Sequence, residues 1–172
     1  MKKLVFAFLV VFIFMGCATT NNSLQDKNRY FEESGGYSIF LPEGWQAAEI
    51  GLKYKALFGQ IENSFQKNIT FVDEAFDGDL DYYVNAVIEQ LNTLFGENIK
   101  FLQQNDFVTV KKIMGKKIVT ESLQYDRHIR QTLYIFPGNA KKILMTCTVL
   151  AEEGEAFDSF FDKVIETFEW VK

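Results

Sequence analysis

Histidine, proline and cysteine are scarce in this chain, and each scarcity removes a class of protein. The single histidine, His128, lies between Arg127 and Ile129; it cannot build a His-rich zinc site, and no serine or cysteine motif accompanies it to form a nucleophilic triad. Only Pro42 and Pro137 supply proline, which rules out collagen-like or extended architecture. Two cysteines, Cys17 and Cys147, are too few for a disulfide scaffold, so an apolar core must hold the fold. Basic runs are missing as well. With 18 Lys and Arg against 23 Asp and Glu, the chain lacks the positive face that nucleic-acid phosphates demand. No glycine-rich loop opens a helix, since Gly35 and Gly36 precede a strand-like stretch, and a phosphate cradle of that kind is excluded. The longest apolar run, Leu4 to Met15, has twelve residues. That is short of the roughly 20 that a helix needs to cross a bilayer.

What is present begins with that run. Lys2 and Lys3 precede it and Gly16 and Cys17 close it, the order of a bacterial secretion signal that ends in a cysteine. Phe14, Met15, Gly16, Cys17 resembles the lipobox of bacterial lipoproteins, with Phe14 where that motif usually has Leu. The resemblance implies cleavage before Cys17, a diacylglyceryl group on its sulfur carrying chains such as palmitate, and attachment to a membrane. Ala18, in place of an acidic second residue, resembles the route to the outer membrane of the cell envelope. The expected division is residues 1–16 as signal peptide, 17–34 as lipidated N-terminus and flexible polar tether, and 35–172 as one domain. With Cys17 acylated, Cys147 has no partner for an intramolecular disulfide. The 156 residues beyond the signal carry a formal charge of −7 and 14 of the 18 phenylalanines, enough for one domain with a sizeable core.

Hydrophobic periodicity divides that domain into strands and two helices. Alternation over Tyr37 to Leu41 predicts a strand broken by Pro42, Glu43 and Gly44. Trp45 restarts the chain, and short strands at 46–49, 54–58 and 69–72, punctuated by Gly51, Gly59 and Asn63, predict a β-meander. Asp79 reads as an N-cap; Leu80, Tyr83, Val84, Val87, Ile88, Leu91, Leu94 and Phe95 fall at helical spacing, and Gly96 ends the helix. Strand-like pieces follow at 99–102, 107–114, 118–125, 129–136 and 142–150, with a turn predicted at Gly115 and Lys116. A second amphipathic helix is expected over 156–171, with Phe157, Phe160, Phe161, Val164, Ile165, Phe168 and Val171 on one stripe. Short loops demand antiparallel neighbours, so the fold class is α+β: a central antiparallel sheet flanked by helices.

The opening Tyr37-Ser38-Ile39-Phe40-Leu41-Pro42-Glu43-Gly44-Trp45, and an ending in which a strand, turn and strand precede a Phe-bearing helix, resemble the PsbP-like family. That family includes the extrinsic photosystem subunit and many bacterial lipoproteins. The resemblance covers about residues 37–171 and implies an α/β/α sandwich and a binding or assembly accessory without catalytic residues.

The residues themselves supply no nucleophile, base and orienting group together, so no enzymatic activity, cofactor or metal is expected. The acidic stretch Asp73, Glu74, Asp77, Asp79, Asp81 echoes a calcium loop. The echo fails because Tyr82 stands where that loop needs Gly and Ile88 where it needs a carboxylate, and acidic residues also suit a helix N-terminus. Cys147 in an apolar strand reads as an inert core thiol, and Trp45 and Trp170 read as core. Lys111, Lys112, Lys116, Lys117, Lys141 and Lys142 are expected to form a basic tip, with Lys116 and Lys117 the candidate surface for an envelope protein partner. An alternative is a carrier holding a small or apolar ligand between sheet and helix, suggested by the Phe-rich stripe.

Overall fold

The computed structural model describes residues 29–50, 54–62 and 64–171. The strands are β1 (Arg29–Glu32), β2 (Tyr37–Phe40), β3 (Gln46–Ile50), β4 (Tyr54–Glu62), β5 (Phe65–Ala75), β6 (Ile99–Val108), β7 (Met114–Gln124), β8 (Arg127–Gly138), β9 (Lys141–Leu150) and β10 (Glu169–Trp170). The helices are α1 (Leu80–Phe95) and α2 (Gly154–Ile165). Seven strands make one antiparallel sheet in the order β3-β4-β5-β9-β8-β7-β6, and β1, β2 and β10 make a second, small antiparallel one. Pairing of β5 with β9 joins the two strand runs read from the sequence into one sheet, where β8 and β9 are central.

Period-two alternation decides which helix each residue meets. Leu133 and Ile135 of β8 face α1 with Ile118, Leu144 and Ile99, and there they meet Tyr83, Val84, Val87 and Leu91. Tyr134 and Phe136 face the other way, with Met145, Cys147 and Val149, against Phe161, Val164, Ile165 and Phe168 and against the small sheet. Helices therefore cover both faces, and the expected α/β/α arrangement is the one found.

Four local readings need correction. Arg29–Glu32, expected within the 17–34 tether, is strand β1; Tyr30 is buried and stacks on Phe71 at 5.2 Å, which fixes the segment to the large sheet. The turn expected at Gly115 and Lys116 lies instead at residues 109–113, where the Thr109 amide donates to the Ile113 carbonyl at 3.1 Å, the Ile113 amide donates to the Thr109 hydroxyl at 3.2 Å, and Lys112 takes a left-handed φ of 61°. Gly115 is a strand residue because nothing larger fits: a Cβ there would lie 2.6 Å from the Ile135 carbonyl and 2.6 Å from the Phe136 ring. Likewise Gly59 sits within β4 under the Trp45 indole, 3.1 Å from an added Cβ, rather than in a turn. Finally, the second helix stops at Ile165, not at residue 171. The Thr167 hydroxyl bonds back to the Val164 carbonyl at 2.6 Å, and the chain then extends so that Trp170 pairs with Tyr37 in the small sheet.

Capping at α1 follows the sequence. The Asp79 carboxylate accepts from the Asp81 and Tyr82 amides at 2.7 and 3.2 Å, and Gly96 at φ 52° ends the helix.

Candidate functional site

The six lysines read as one basic tip are dispersed. Lys116 and Lys117 are neighbours in a strand and so point to opposite faces of the sheet. Lys116 faces α1 and bridges Asp81 and Asp106, each at 2.8 Å; hydrogen bonds to Asp106 and then Asp81 push its ammonium pKa up. Lys117 is only 7% exposed, lies under α2, and donates to both oxygens of Asp162 at 2.7 and 2.8 Å. A surface made of both residues is therefore overturned. Lys142 is buried as well, donating to the Phe76 carbonyl at 3.1 Å. Lys111 and Lys112 alone occupy the β6–β7 turn.

The acidic stretch is likewise divided among separate tasks. Asp73 meets Lys141, Glu74 accepts from the Tyr83 hydroxyl at 2.8 Å, Asp79 caps α1 and Asp81 pairs with Lys116. Among the described residues no group of three or more such side chains is placed to hold a metal ion. His128 is exposed on β8. Cys147 is fully buried, and burial pushes its thiol pKa well up. Trp45 and Trp170 are half-buried, packed on the core rather than within it. Cys17 lies outside the described residues.

The ligand space expected between sheet and helix is filled by side chains. Phe136 stacks on Phe168 with ring centres 4.4 Å apart, Phe157 and Phe160 pack on Phe161, and Trp45 lies against Phe160 at 5.7 Å. Polar clasps complete the contact: Arg130 reaches Glu121 and Asp158 at 2.8 and 2.5 Å, and the Tyr134 hydroxyl donates to Asp162 at 2.7 Å. Lys67, buried beside the Phe157 ring, pairs with Glu62 and Glu153.

Two clefts do open where the small sheet meets the large one. The first, about 370 Å³, is lined by Gly35, Pro137, Gly138, Asn139, Lys141 and Trp170. The second, about 50 Å³, lies among Glu32, Ser34, Tyr37, Lys55, Phe71 and Asp73. Glu32 is its centre: it accepts from the Tyr30 hydroxyl at 2.5 Å, from the Ser34 hydroxyl, and from Lys55 at 2.8 Å. Across the cleft Lys141 donates to Asp73 at 3.0 Å and to the Gly35 carbonyl at 2.6 Å. Burial pushes the Glu32 carboxyl pKa up, but the bonds from Lys55, Ser34 and Tyr30 outweigh it and hold the pKa below its ordinary value. This clasp is not visible in the sequence, where the β1 segment reads as tether. The signal available was the apolar pair Tyr30-Phe31 inside an otherwise polar stretch.

A depressed carboxyl pKa adds stability that is fully present above its unfolded value, about 4.3, and is lost as pH falls through the lower folded value. Glu32→Gln is therefore expected to lower Tm by a constant amount above about pH 5, the difference shrinking as pH falls below about 4 and through the depressed folded value. Thermal melts across that range check it, and a Tm difference independent of pH would contradict the clasp.

The sheet ends in an unusual edge. Among the described strands β6 has β7 as its single neighbour. Of its ten residues only Ile99 and Phe107 are buried, and Phe101, Leu102 and Val108 are exposed apolar side chains. The centre, Leu102-Gln103-Gln104-Asn105, carries no charge, and a bulge lies between Phe101 and Gln103. Beyond β6 the turn presents Val110, 63% exposed, with Lys111 and Lys112, and then Met114.

No helix among the described residues is long and apolar enough to cross a membrane. Neither a family model nor a curated protein matches the sequence. Solved structures do. The PsbP protein of Synechocystis sp. PCC 6803 superposes with a TM-score of 0.63 at 14% identity, over 88% of this chain and 98% of its own. LpqN of Mycobacterium tuberculosis, involved in cell envelope biogenesis, gives 0.59 at 12%, over 81% and 87%. The Ran-binding protein Mog1p of Saccharomyces cerevisiae gives 0.59 at 14%, over 84% and 95%. At these identities the likeness is one of fold: a seven-stranded antiparallel sheet between two helices, the architecture of PsbP-like proteins.

Proposed function

We propose that the chain is a lipid-anchored cell-envelope protein whose PsbP-like domain binds a protein partner and catalyses no reaction. The observation that carries this reading is the edge of β6. A ten-residue edge strand with a charge-free centre and outward Phe101 and Leu102 offers backbone donors and acceptors to an added strand. Its occupant is an extended segment of an envelope protein, with alternate apolar side chains seated on Phe101 and Leu102. The anchor is the diacylglyceryl group on Cys17, and Ala18 favours the outer membrane. Two or three acyl chains hold such a protein at the surface, whereas one would not. The fold is compatible with this use, since Mog1p, which shares it, is a Ran-binding protein, and LpqN serves envelope biogenesis.

In cells, a photo-crosslinking side chain at position 102 is expected to yield an adduct with one defined protein, and the same side chain at position 125, in the β7–β8 turn, none. With that partner purified, Leu102→Lys should weaken binding about tenfold without changing Tm. Adducts of equal yield from both positions, or unchanged affinity of the Leu102→Lys protein, would remove β6 as the binding edge.

A further inference from the structure

We infer that the end of the domain bearing the β6–β7 turn faces the membrane, seating Val110, Lys111 and Lys112 in the headgroup layer of an anionic bilayer. The inference rests on the lipid-anchor reading given above. Arg29 donates to the Thr167 carbonyl at 2.9 Å, and the Val110 amide donates to the adjacent Glu166 carbonyl at 2.8 Å. One carboxylate, Glu169, joins the two segments: Oε1 meets Arg29 at 2.9 Å and Oε2 meets Lys111 at 3.3 Å. The entry of the chain and the turn are thus held side by side.

Residues 18–28 separate Cys17 from Arg29, and twelve peptide steps reach at most about 40 Å. Any acyl group on Cys17 therefore holds the Arg29 end within that radius of the lipid surface. The β7–β8 turn at Tyr125 is the far end, a further eleven-residue strand away, about 35 Å. Tethering at this distance brings headgroups within reach of both ends at a high local concentration, so a weak contact suffices and the chemistry of the surface chooses the end.

The chemistry of the near end fits a bilayer. Val108, Val110 and Met114 are exposed around the turn, Phe40 is exposed opposite Arg29, and Lys111 and Lys112 stand between apolar neighbours. Apolar tips enter the acyl boundary while ammonium groups remain at the phosphates. Of the acidic groups near the turn, Asp81 and Asp106 share Lys116, Asp162 is held by Lys117 and Glu169 by Arg29 and Lys111, while the Glu166 carboxylate meets no cation among the described residues; Lys112 is the lysine of the turn that no carboxylate pairs.

The test uses the full-length lipidated protein in vesicles of phosphatidylglycerol and phosphatidylethanolamine. Cys147 is buried and Cys17 acylated, so Val110→Cys or, separately, Tyr125→Cys takes an environment-sensitive dye at one place. Both labelled proteins should float with the vesicles. The dye at 110 should shift to shorter wavelength and lose emission to quencher-bearing lipids, while the dye at 125 should do neither. Lys111→Glu with Lys112→Glu should reverse the shift at 110 without preventing flotation. Flotation with both dyes in an aqueous environment overturns this orientation and leaves the anchor standing. Failure to float overturns the anchor and the orientation together. A dye at 110 shielded only on adding a protein, and not by lipid, assigns the turn to that protein and overturns the inference.

Discussion

Gly115→Val is expected to cost about 3 kcal/mol or more, a large fraction of the roughly 5–15 kcal/mol that stabilises an ordinary domain. The reason is position rather than conformation. Gly115 lies in β7, and a Cβ would approach the Ile135 carbonyl and the Phe136 ring to 2.6 Å. Ile135 belongs to β8, hydrogen-bonded on both sides, so its backbone cannot retreat without disturbing β7 and β9 together. Phe136 cannot retreat either, because it stacks on Phe168 and meets Phe107. Gly96 supplies the contrast. A Cβ there meets nothing within 4 Å, and its backbone, φ 52° with ψ −122°, is the sole objection, so Gly96→Ala should cost about 1–3 kcal/mol, less than Gly115→Val. Urea unfolding of both variants measures this. Equal midpoints would mean that Gly115 is not packed as described.

The second large effect concerns Lys117. Lys117→Ala removes the cation that faces Asp162 and strips away the stem that fills space beneath α2. It leaves the Asp162 carboxylate and the Tyr134 hydroxyl facing each other without a counter-charge. Removing one partner of a fully buried pair costs about 3–5 kcal/mol, but the Asp162 side chain is still 32% exposed and can recruit water. A loss of about 2–3 kcal/mol is the expected outcome. Lys117→Met combined with Asp162→Leu should recover most of it, because apolar residues of similar volume replace a buried pair at little cost. By comparison Lys116→Ala, on the opposite face of the same strand, should cost far less, since both of its carboxylate partners are largely exposed and solvent screens them. A double-mutant cycle on unfolding free energies separates these cases. Equal, small losses at 116 and 117 would restore the two lysines to a common surface.

Those two residues also show how far the sequence can be read. The alternation that marks β7 as a strand is visible in Ile118 to Tyr125, but the strand starts four residues earlier, at Met114, because Gly115 is a packing residue and not a turn. Once the true turn is put at 109–113, period two alone sends Lys116 and Lys117 apart, and no shared basic tip survives. Helix α1 was legible throughout, from its Asp79 cap to Gly96, because its signals are local. The clasp around Glu32 is not, because Lys55, and the Asp73–Lys141 pair across the cleft, come from three other strands whose pairing depends on the crossover of β5 to β9. The end of α2 was misjudged for a related reason. Phe168 continues the helical stripe in sequence, yet reaches the same core from an extended segment that the small sheet holds in place.

The proposed function and the proposed orientation share one premise, that the domain works on a membrane tether. The most direct test is the intact mass of the mature protein extracted from its own membranes. The account predicts a chain that begins at Cys17 and carries a diacylglyceryl adduct on that residue, with the adduct and the membrane association both lost in Cys17→Ser. A mature chain that begins elsewhere, or that begins at Cys17 with an unmodified thiol, would contradict it.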